Sequence, residues 1–172
     1  MTVTLSVPAA GPAPALLLRP WRAGDLPALV AAHRDPVLRR RVSVPLTGEA
    51  EARRWLDEQA AGWAAATRFS FAVVAEDGPP LGHVVVKTAP AEVGYWTAAH
   101  ARGRGIAARA LEAVSRWALD EAGLVRLELL HAVDNHPSCR VAEKCGYVLH
   151  GLLPAAPPEF PGEGHRHVRV RR

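Results

Sequence analysis

Short apolar runs alternate along the chain with segments of helical periodicity. Residues 15–20, ALLLRP, read as a strand stopped by Pro20. GDLPALVAAHRD (24–35) reads as a helix capped by Asp25, with Pro27 tolerable in its first turn. PVLRRRVSVPLTG (36–48) is irregular and basic. A second helix opens at Thr47, with Ala52, Trp55, Leu56, Ala60 and Trp63 at helical spacing. RFSFAVVA (68–75) puts Phe69, Phe71 and Val73 on one face, and the turn EDGPP leads into LGHVVVK as a hairpin. AEVGYWT (91–97) follows, with Glu92, Gly94 and Trp96 on one face and Val93, Tyr95 and Thr97 on the other.

The longest helix is expected over about 105–122, with Ala107, Ala110, Leu111, Val114, Trp117 and Ala118 as its apolar stripe and Gly123 as its stop. LVRLELLHA reads as a strand. NHPSCRVAEKCG reads as a short helix with Pro137 in its first turn and Gly146 at its end. YVLHGLL and GHRHVRVRR are closing strands, separated by the proline-rich loop PAAPPEFPGEG. Residues 1–13 read as a flexible tail and 14–172 as one domain. This order gives an α/β protein with a mixed sheet rather than a doubly wound one.

Composition narrows the class. Of 172 residues, 49% are hydrophobic and 22% charged, which excludes disorder throughout. The net charge of +4 admits a polyanionic partner. Lys87 and Lys144 are the only lysines, so the basic bias is an arginine bias, which a GC-rich genome would also supply. Cys139 and Cys145 lie nearly two helical turns apart, too far for an easy bridge, so a reduced, cytoplasmic chain is expected. No secretory layout and no membrane-length apolar run is present.

The stretch HARGRGIAARAL raises the question of which anion its glycine turn would hold. It contains no Walker loop. Gly103, Gly105 and Ala108 fit a dinucleotide fingerprint, but AAHAR separates the strand from the first glycine, where that fingerprint needs a tight turn. An RNA-binding tail fails because the glycines open an amphipathic helix without aromatic interleaving. What remains is a strand, a short loop and a helix start, where free backbone N–H groups meet the positive end of the helix dipole. Arg102 and Arg104 can add charge at the rim.

GYW…ARGRGIAARAL followed by NHPSCRVAEKCGY resembles the GNAT N-acetyltransferase superfamily, in particular its RimJ/RimL-type branch. The likeness covers about residues 15 to 171. It implies the acyl-CoA N-acyltransferase fold: a mixed, mostly antiparallel sheet of about seven strands, splayed between the fourth and fifth, flanked by about four helices. Acetyl-CoA would lie in the gap. On this resemblance the backbone of Arg102, Gly103, Arg104, Gly105, Ile106 and Ala107 holds the pyrophosphate, and that of Trp96, Thr97 and Ala98 runs along the pantetheine. Asn135 would bind the pantetheine arm and Ser138 would lie near the sulfur.

Acetyl transfer to an amine needs a neutral nucleophile, a polarised carbonyl and a tolerable thiolate. Many members of this family protonate the thiolate with a tyrosine seven residues after the asparagine; here that position is Ala142, which leaves Ser138 as candidate acid. Ser138 reads equally as a helix cap. Glu92 is the candidate base and reads equally as a solvated strand residue. His131, His136, Cys139 and Cys145 match no zinc spacing, so no metal is expected, and His165 and His167 read as exposed-edge residues. Trp55, Trp63 and Trp117 read as core. The expected partners are acetyl-CoA and a primary amine, with a ribosomal protein or peptide N-terminus among the acceptors, no membrane and no direct nucleic acid, in a monomer or homodimer. A non-catalytic acyl-CoA sensor and a basic ribosome- or RNA-binding protein remain the alternatives. The acceptor would be selected by segment 36–48 and loop 154–163, which carries Glu159.

Overall fold

The structure, a computed structural model, describes residues 3–76, 78–157 and 160–171; Glu159 lies outside them. Eight strands form one sheet in the order β1-β2-β3-β4-β5-β6-β8-β7. They are β1 (Leu5–Val7), β2 (Leu16–Pro20), β3 (Arg68–Val74), β4 (Gly82–Thr88), β5 (Ala91–Thr97), β6 (Arg126–Ala132), β7 (Val148–Leu153) and β8 (Gly164–Val170). The helices are α1 (Leu26–Ala32), α2 (Pro36–Arg39), α3 (Glu49–Ala64), α4 (Ile106–Asp120) and α5 (His136–Lys144). All neighbouring strands pair antiparallel except β5 and β6.

That parallel pair is short. Only Glu92↔Glu128 and Val93↔Leu129 are in register, after which β5 and β6 diverge toward their C-terminal ends. The expected splay is therefore present, between what are now the fifth and sixth strands. One face of the sheet packs on α4: Leu18, Phe71, Val73, Val84, Val86 and Val93 meet Ile106, Ala110, Leu111, Val114 and Trp117. A second cluster joins Leu26, Leu29, Leu46 and Ala52 to Trp21, Trp55 and Trp96. Trp63 and Trp117 are core, as expected: both pack edge-on against Phe69 and Phe71.

Several expectations need correction. Part of the presumed tail, Leu5–Val7, is a strand paired with β2, because Leu5 and Val7 alternate onto the main core. The basic stretch contains a short helix, with Pro36 at its first position and Asp35 accepting the N–H groups of Val37 (3.1 Å) and Leu38 (3.2 Å). Asp25 precedes α1 but does not cap it with its side chain. Its carboxylate is buried against Arg19, which donates at 2.7 and 2.8 Å, and it also accepts the Arg22 N–H at 2.8 Å. The second helix starts one residue late: Gly48 is its N-cap, and Thr47 donates its N–H and hydroxyl to Glu51 at 2.6 and 2.7 Å. His165 and His167 are not on an edge. β8 lies between β6 and β7, and His167 is only 2% exposed.

Candidate active site

The fork between β5 and β6 leaves backbone groups without sheet partners. Ala98 donates its N–H to Leu81 at 2.9 Å, continuing the β4–β5 ladder. Because bonding direction alternates along an antiparallel strand, the N–H groups of Tyr95 and Thr97 then face the β6 side, where the sheet has opened. Of Trp96, Thr97 and Ala98, Thr97 is thus the residue whose amide is turned to the gap.

At the mouth of the gap the chain turns from β5 into α4. Gly103 and Gly105 have φ of 73° and 71°, left-handed values that an L-residue adopts only with strain. Gly105 is the N-cap of α4, and no side chain caps that end. Among the described residues, no acceptor faces the N–H groups of Gly103, Arg104, Gly105, Ile106 and Ala107. Nothing lies within 4 Å of a Cβ built on Gly103 or Gly105, so conformation and free space, rather than crowding by the protein, mark these positions. A turn with several uncommitted N–H groups at a helix N-terminus is an anion receptor. Arg102 does not serve its rim: its guanidinium pairs with Asp35. That pair holds the Asp35 carboxyl below its ordinary range. Arg104 makes no ion pair among the described residues.

On the other side of the fork, β6 runs into α5. Asn135 is the N-cap position but makes no side-chain capping bond, and Ser138 sits in the first turn with its N–H bonded to the Asn135 carbonyl at 2.9 Å. Ser138 is therefore not the cap of its helix, although it is 9% exposed. Facing it from β5 is Tyr95, a residue the sequence reading left as sheet packing. The Tyr95 hydroxyl is buried, with the Ser138 side chain beside it and no hydrogen-bond partner among the described residues. Burial pushes its pKa up to about 12, so it stays a neutral phenol. The alternation that puts Tyr95 opposite Glu92 and Trp96 was legible; its convergence with Ser138 was not.

Glu92 is one of the two β5 residues still paired with β6 at the base of the fork. Its Oε1 accepts from Lys87 Nζ at 2.6 Å across the hairpin, and Oε2 has no partner among the described residues. The Glu92 face also carries Trp96, which joins Trp21, Trp55, His83 and His33 in an aromatic cluster. His83 accepts from Trp21 Nε1 at 3.1 Å, and His33 accepts from the Leu46 N–H at 3.1 Å. Burial, with Arg39 nearby, pulls His33 down to about 4; burial, with Arg68 and His33 nearby, pulls His83 down to about 3. Both rings are neutral at pH 7. Segment 35–41 spans the two loops at the mouth: Asp35 pairs with Arg102 on the α4 side and Arg41 with Asp134 on the α5 side, the latter at 2.6 Å.

The expected site residues thus border the fork, on β5, on the turn into α4 and at the start of α5, with Arg102 engaged elsewhere by its side chain. No helix of the described residues is long and apolar enough to cross a membrane.

Known proteins share this architecture. A ribosomal-protein-serine acetyltransferase of Escherichia coli (strain K12) is 34% identical over 80 residues, 46% of this chain and 44% of that protein. The chain thus matches less than half the length of that relative. RimL, a ribosomal alpha-N-protein acetyltransferase in complex with coenzyme A, has the same fold at a TM-score of 0.83 and 19% identity, over 96% of this chain and 97% of that one. Mycobacterium smegmatis RimJ in complex with a CoA disulfide gives 0.77 and 21%, over 98% and 86%. The acetyltransferase (GNAT) domain model matches residues 15–148, from the residue before β2 through the first residue of β7. That span takes in both arms of the fork and both loops at its mouth, and the chain belongs to the GNAT acetyltransferase family.

Proposed function

We propose that this chain transfers the acetyl group of acetyl-CoA directly to a primary amine bound on the Glu92–Trp96 side of the gap. The observation that carries the reading is the run of uncommitted N–H groups from Gly103 to Ala107 at the open end of the β5–β6 fork. The pyrophosphate lies on those amides, with Arg104 adding charge and Arg102 holding segment 35–41 through Asp35. Trp96, Thr97 and Ala98 run along the pantetheine, and the Thr97 N–H, the one turned to the gap, donates to the acetyl carbonyl as negative charge develops there. Asn135 holds the pantetheine arm.

Ser138, freed from capping, protonates or hydrogen-bonds the leaving thiolate. A thiol pKa of about 8.5 makes that leaving group undemanding. Glu92 accepts the amine proton through its free oxygen, directly or by way of one water. An α-amine of pKa about 8 is roughly one-tenth neutral at pH 7, whereas a lysine near 10.4 is far below about one per cent. With so sparse a set of bases, the low-pKa amine is the better acceptor. We therefore favour a protein or peptide N-terminus, with a ribosomal protein as one such acceptor. Two free cysteines fit a reduced cytoplasmic setting.

The test is free-thiol release from acetyl-CoA with an amine panel: peptides with free N-termini, the same peptides N-blocked but carrying lysine, and polyamines. Turnover with free N-termini, at least about tenfold above the lysine peptides, is expected. Thermal stabilisation by acetyl-CoA without thiol release from any amine would instead make the chain an acyl-CoA sensor.

A further inference from the structure

Three elements bring four donors together. His131 lies next to the end of β6, Cys139 on α5, and His165 and His167 on β8. One ligand atom from each lies within 4.8 Å of all the others. Cys139 Sγ is 3.3 Å from His165 Nδ1 and 3.7 Å from His131 Nε2. A tetrahedral zinc ion with Zn–S of about 2.3 Å and Zn–N of about 2.0 Å separates S and N ligands by about 3.5 Å. The two distances bracket that value.

Two further observations point to a ligand. His131 Nδ1 lies 2.8 Å from the Ala132 carbonyl, so this nitrogen carries the proton and donates it, leaving the Nε2 lone pair toward Cys139. An imidazole whose far nitrogen is tied to a backbone carbonyl is the usual outer-shell arrangement of a metal-bound histidine. His167 is 2% exposed, and neither ring nitrogen has a hydrogen-bond partner among the described residues. A buried imidazole with both nitrogens unpaired is costly unless something occupies the position between it and its neighbours. A cleft of about 570 Å³ lined in part by Cys139, Glu143, Tyr147, His165 and His167 gives a route in.

We infer that His131, Cys139, His165 and His167 form a binding site for a borderline-soft divalent cation of the Zn²⁺ class. The reading replaces the expectation of no metal, and it differs from the sequence set: His136 is exposed and Cys145 instead donates its thiol to the Ala108 carbonyl at 3.2 Å. On binding, the Cys139 S–H bond breaks, its proton goes to solvent and the sulfur forms the metal bond, while the three imidazoles bind neutral. Four protein ligands close the coordination shell, so the ion is structural. It ties α5, which begins at the residue after Asn135 and carries Ser138, to β6 and β8.

The test uses Co²⁺ as the optical probe and Zn²⁺ for occupancy, on the whole chain. One equivalent of Co²⁺ should give tetrahedral d–d absorption and a thiolate-to-metal charge-transfer band. Zn²⁺ should displace it one for one and raise the thermal midpoint by roughly 5–10 °C at a hundredfold excess over Kd. Cys139→Ala should abolish the charge-transfer band, and His165→Ala should weaken Co²⁺ binding at least about tenfold. His136→Ala, on the same helix but outside the cluster, should leave both unchanged. Circular dichroism in chelator checks that each variant is folded. Absence of a tetrahedral Co²⁺ spectrum in the folded wild type, or a charge-transfer band that survives Cys139→Ala, would overturn the site.

Discussion

Gly105 offers a test in which charge can be separated from conformation. Its φ of 71° costs any L-residue about 1–2 kcal/mol, and among the described residues, its chain neighbours aside, nothing lies within 4 Å of a new Cβ. Gly105→Glu and Gly105→Lys therefore share one strain penalty, a fall in Tm of roughly 2–8 °C. They differ in the sign of the charge brought to the cradle. At about 6 Å from a phosphate and an effective dielectric constant of about 20, a carboxylate is repelled by about 3 kcal/mol. That is on the order of a hundredfold in the Kd of coenzyme A. The lysine variant keeps the backbone N–H groups and gains an attraction, so its Kd should stay within about tenfold of wild type. Isothermal titration calorimetry with coenzyme A measures both. The gap between the variants should narrow from about 0.15 to 1 M salt, as the screening length falls from about 8 to 3 Å. Equal losses in the two variants would mean that glycine serves conformation alone. Unchanged affinity in both would remove the anion from this turn.

Ser138→Ala should lower kcat by about tenfold to a hundredfold with coenzyme affinity near wild type, since the serine acts on the leaving group; equal turnover in steady-state kinetics would remove it from the chemistry. His33 contributes to pH dependence. Its folded pKa of about 4 lies below the ordinary 6.5, so protonation favours unfolding, and stability is lost as pH falls from 6.5 toward 4. At a pH of about 4.5 the loss from this residue is about 2–3 kcal/mol. His33→Asn, which keeps an acceptor for the Leu46 N–H, should flatten that limb in urea titrations, and an unaltered slope would refute the assignment. Tyr147→Phe strands the buried Ser115 hydroxyl that now meets the phenol at 2.6 Å. The expected cost is about 1–2 kcal/mol by denaturant melts, and no change would show that Ser115 finds another partner.

The elements were legible where periodicity is strong. The α4 stripe from Ala110 to Trp117, the β3–β4 hairpin and the strand AEVGYWT all lie within a few residues of their predicted places. The fork was expected only through the family resemblance, whereas its glycine turn was readable directly, since glycine at left-handed φ leaves a trace in sequence. β1 left no such trace, because three residues beside Pro8 and Gly11 owe their strand to packing on α4 rather than to local pattern. Side-chain commitments were illegible for a related reason. Asp25 reads as a cap until Arg19 is folded against it, and the Arg102 side chain reads as rim charge until Asp35 is brought alongside. The His–Cys cluster depends on β8 inserting between β6 and β7, and that strand order leaves no signal in the spacing of His131, His165 and His167.

A sheet that forks must be held by something other than its ladder. Two register pairs, Glu92↔Glu128 and Val93↔Leu129, are all that join β1–β5 to β6–β8 along the strands. α4 takes over this role. It packs on β4 and β5 with one face, while Ser115 bonds Tyr147 just before β7. Glu112 accepts from Arg169 of β8 at 3.1 Å through its Oε1, and the same guanidinium donates to the Cys145 carbonyl at 2.7 Å. The Cys145 thiol, kept protonated by burial that pushes it up to about 11, donates to the Ala108 carbonyl. These contacts are short, buried or half-buried and directional, so they fix the distance between the halves rather than merely favouring their contact. The exposed pairs of Asp35 with Arg102 and Arg41 with Asp134 cross the mouth and are screened by salt, so they add little stability. The helix side of the fork is thereby held by buried, directional contacts and its mouth by screened ones. On the proposed function, a coenzyme that enters and leaves at every turnover would use that division.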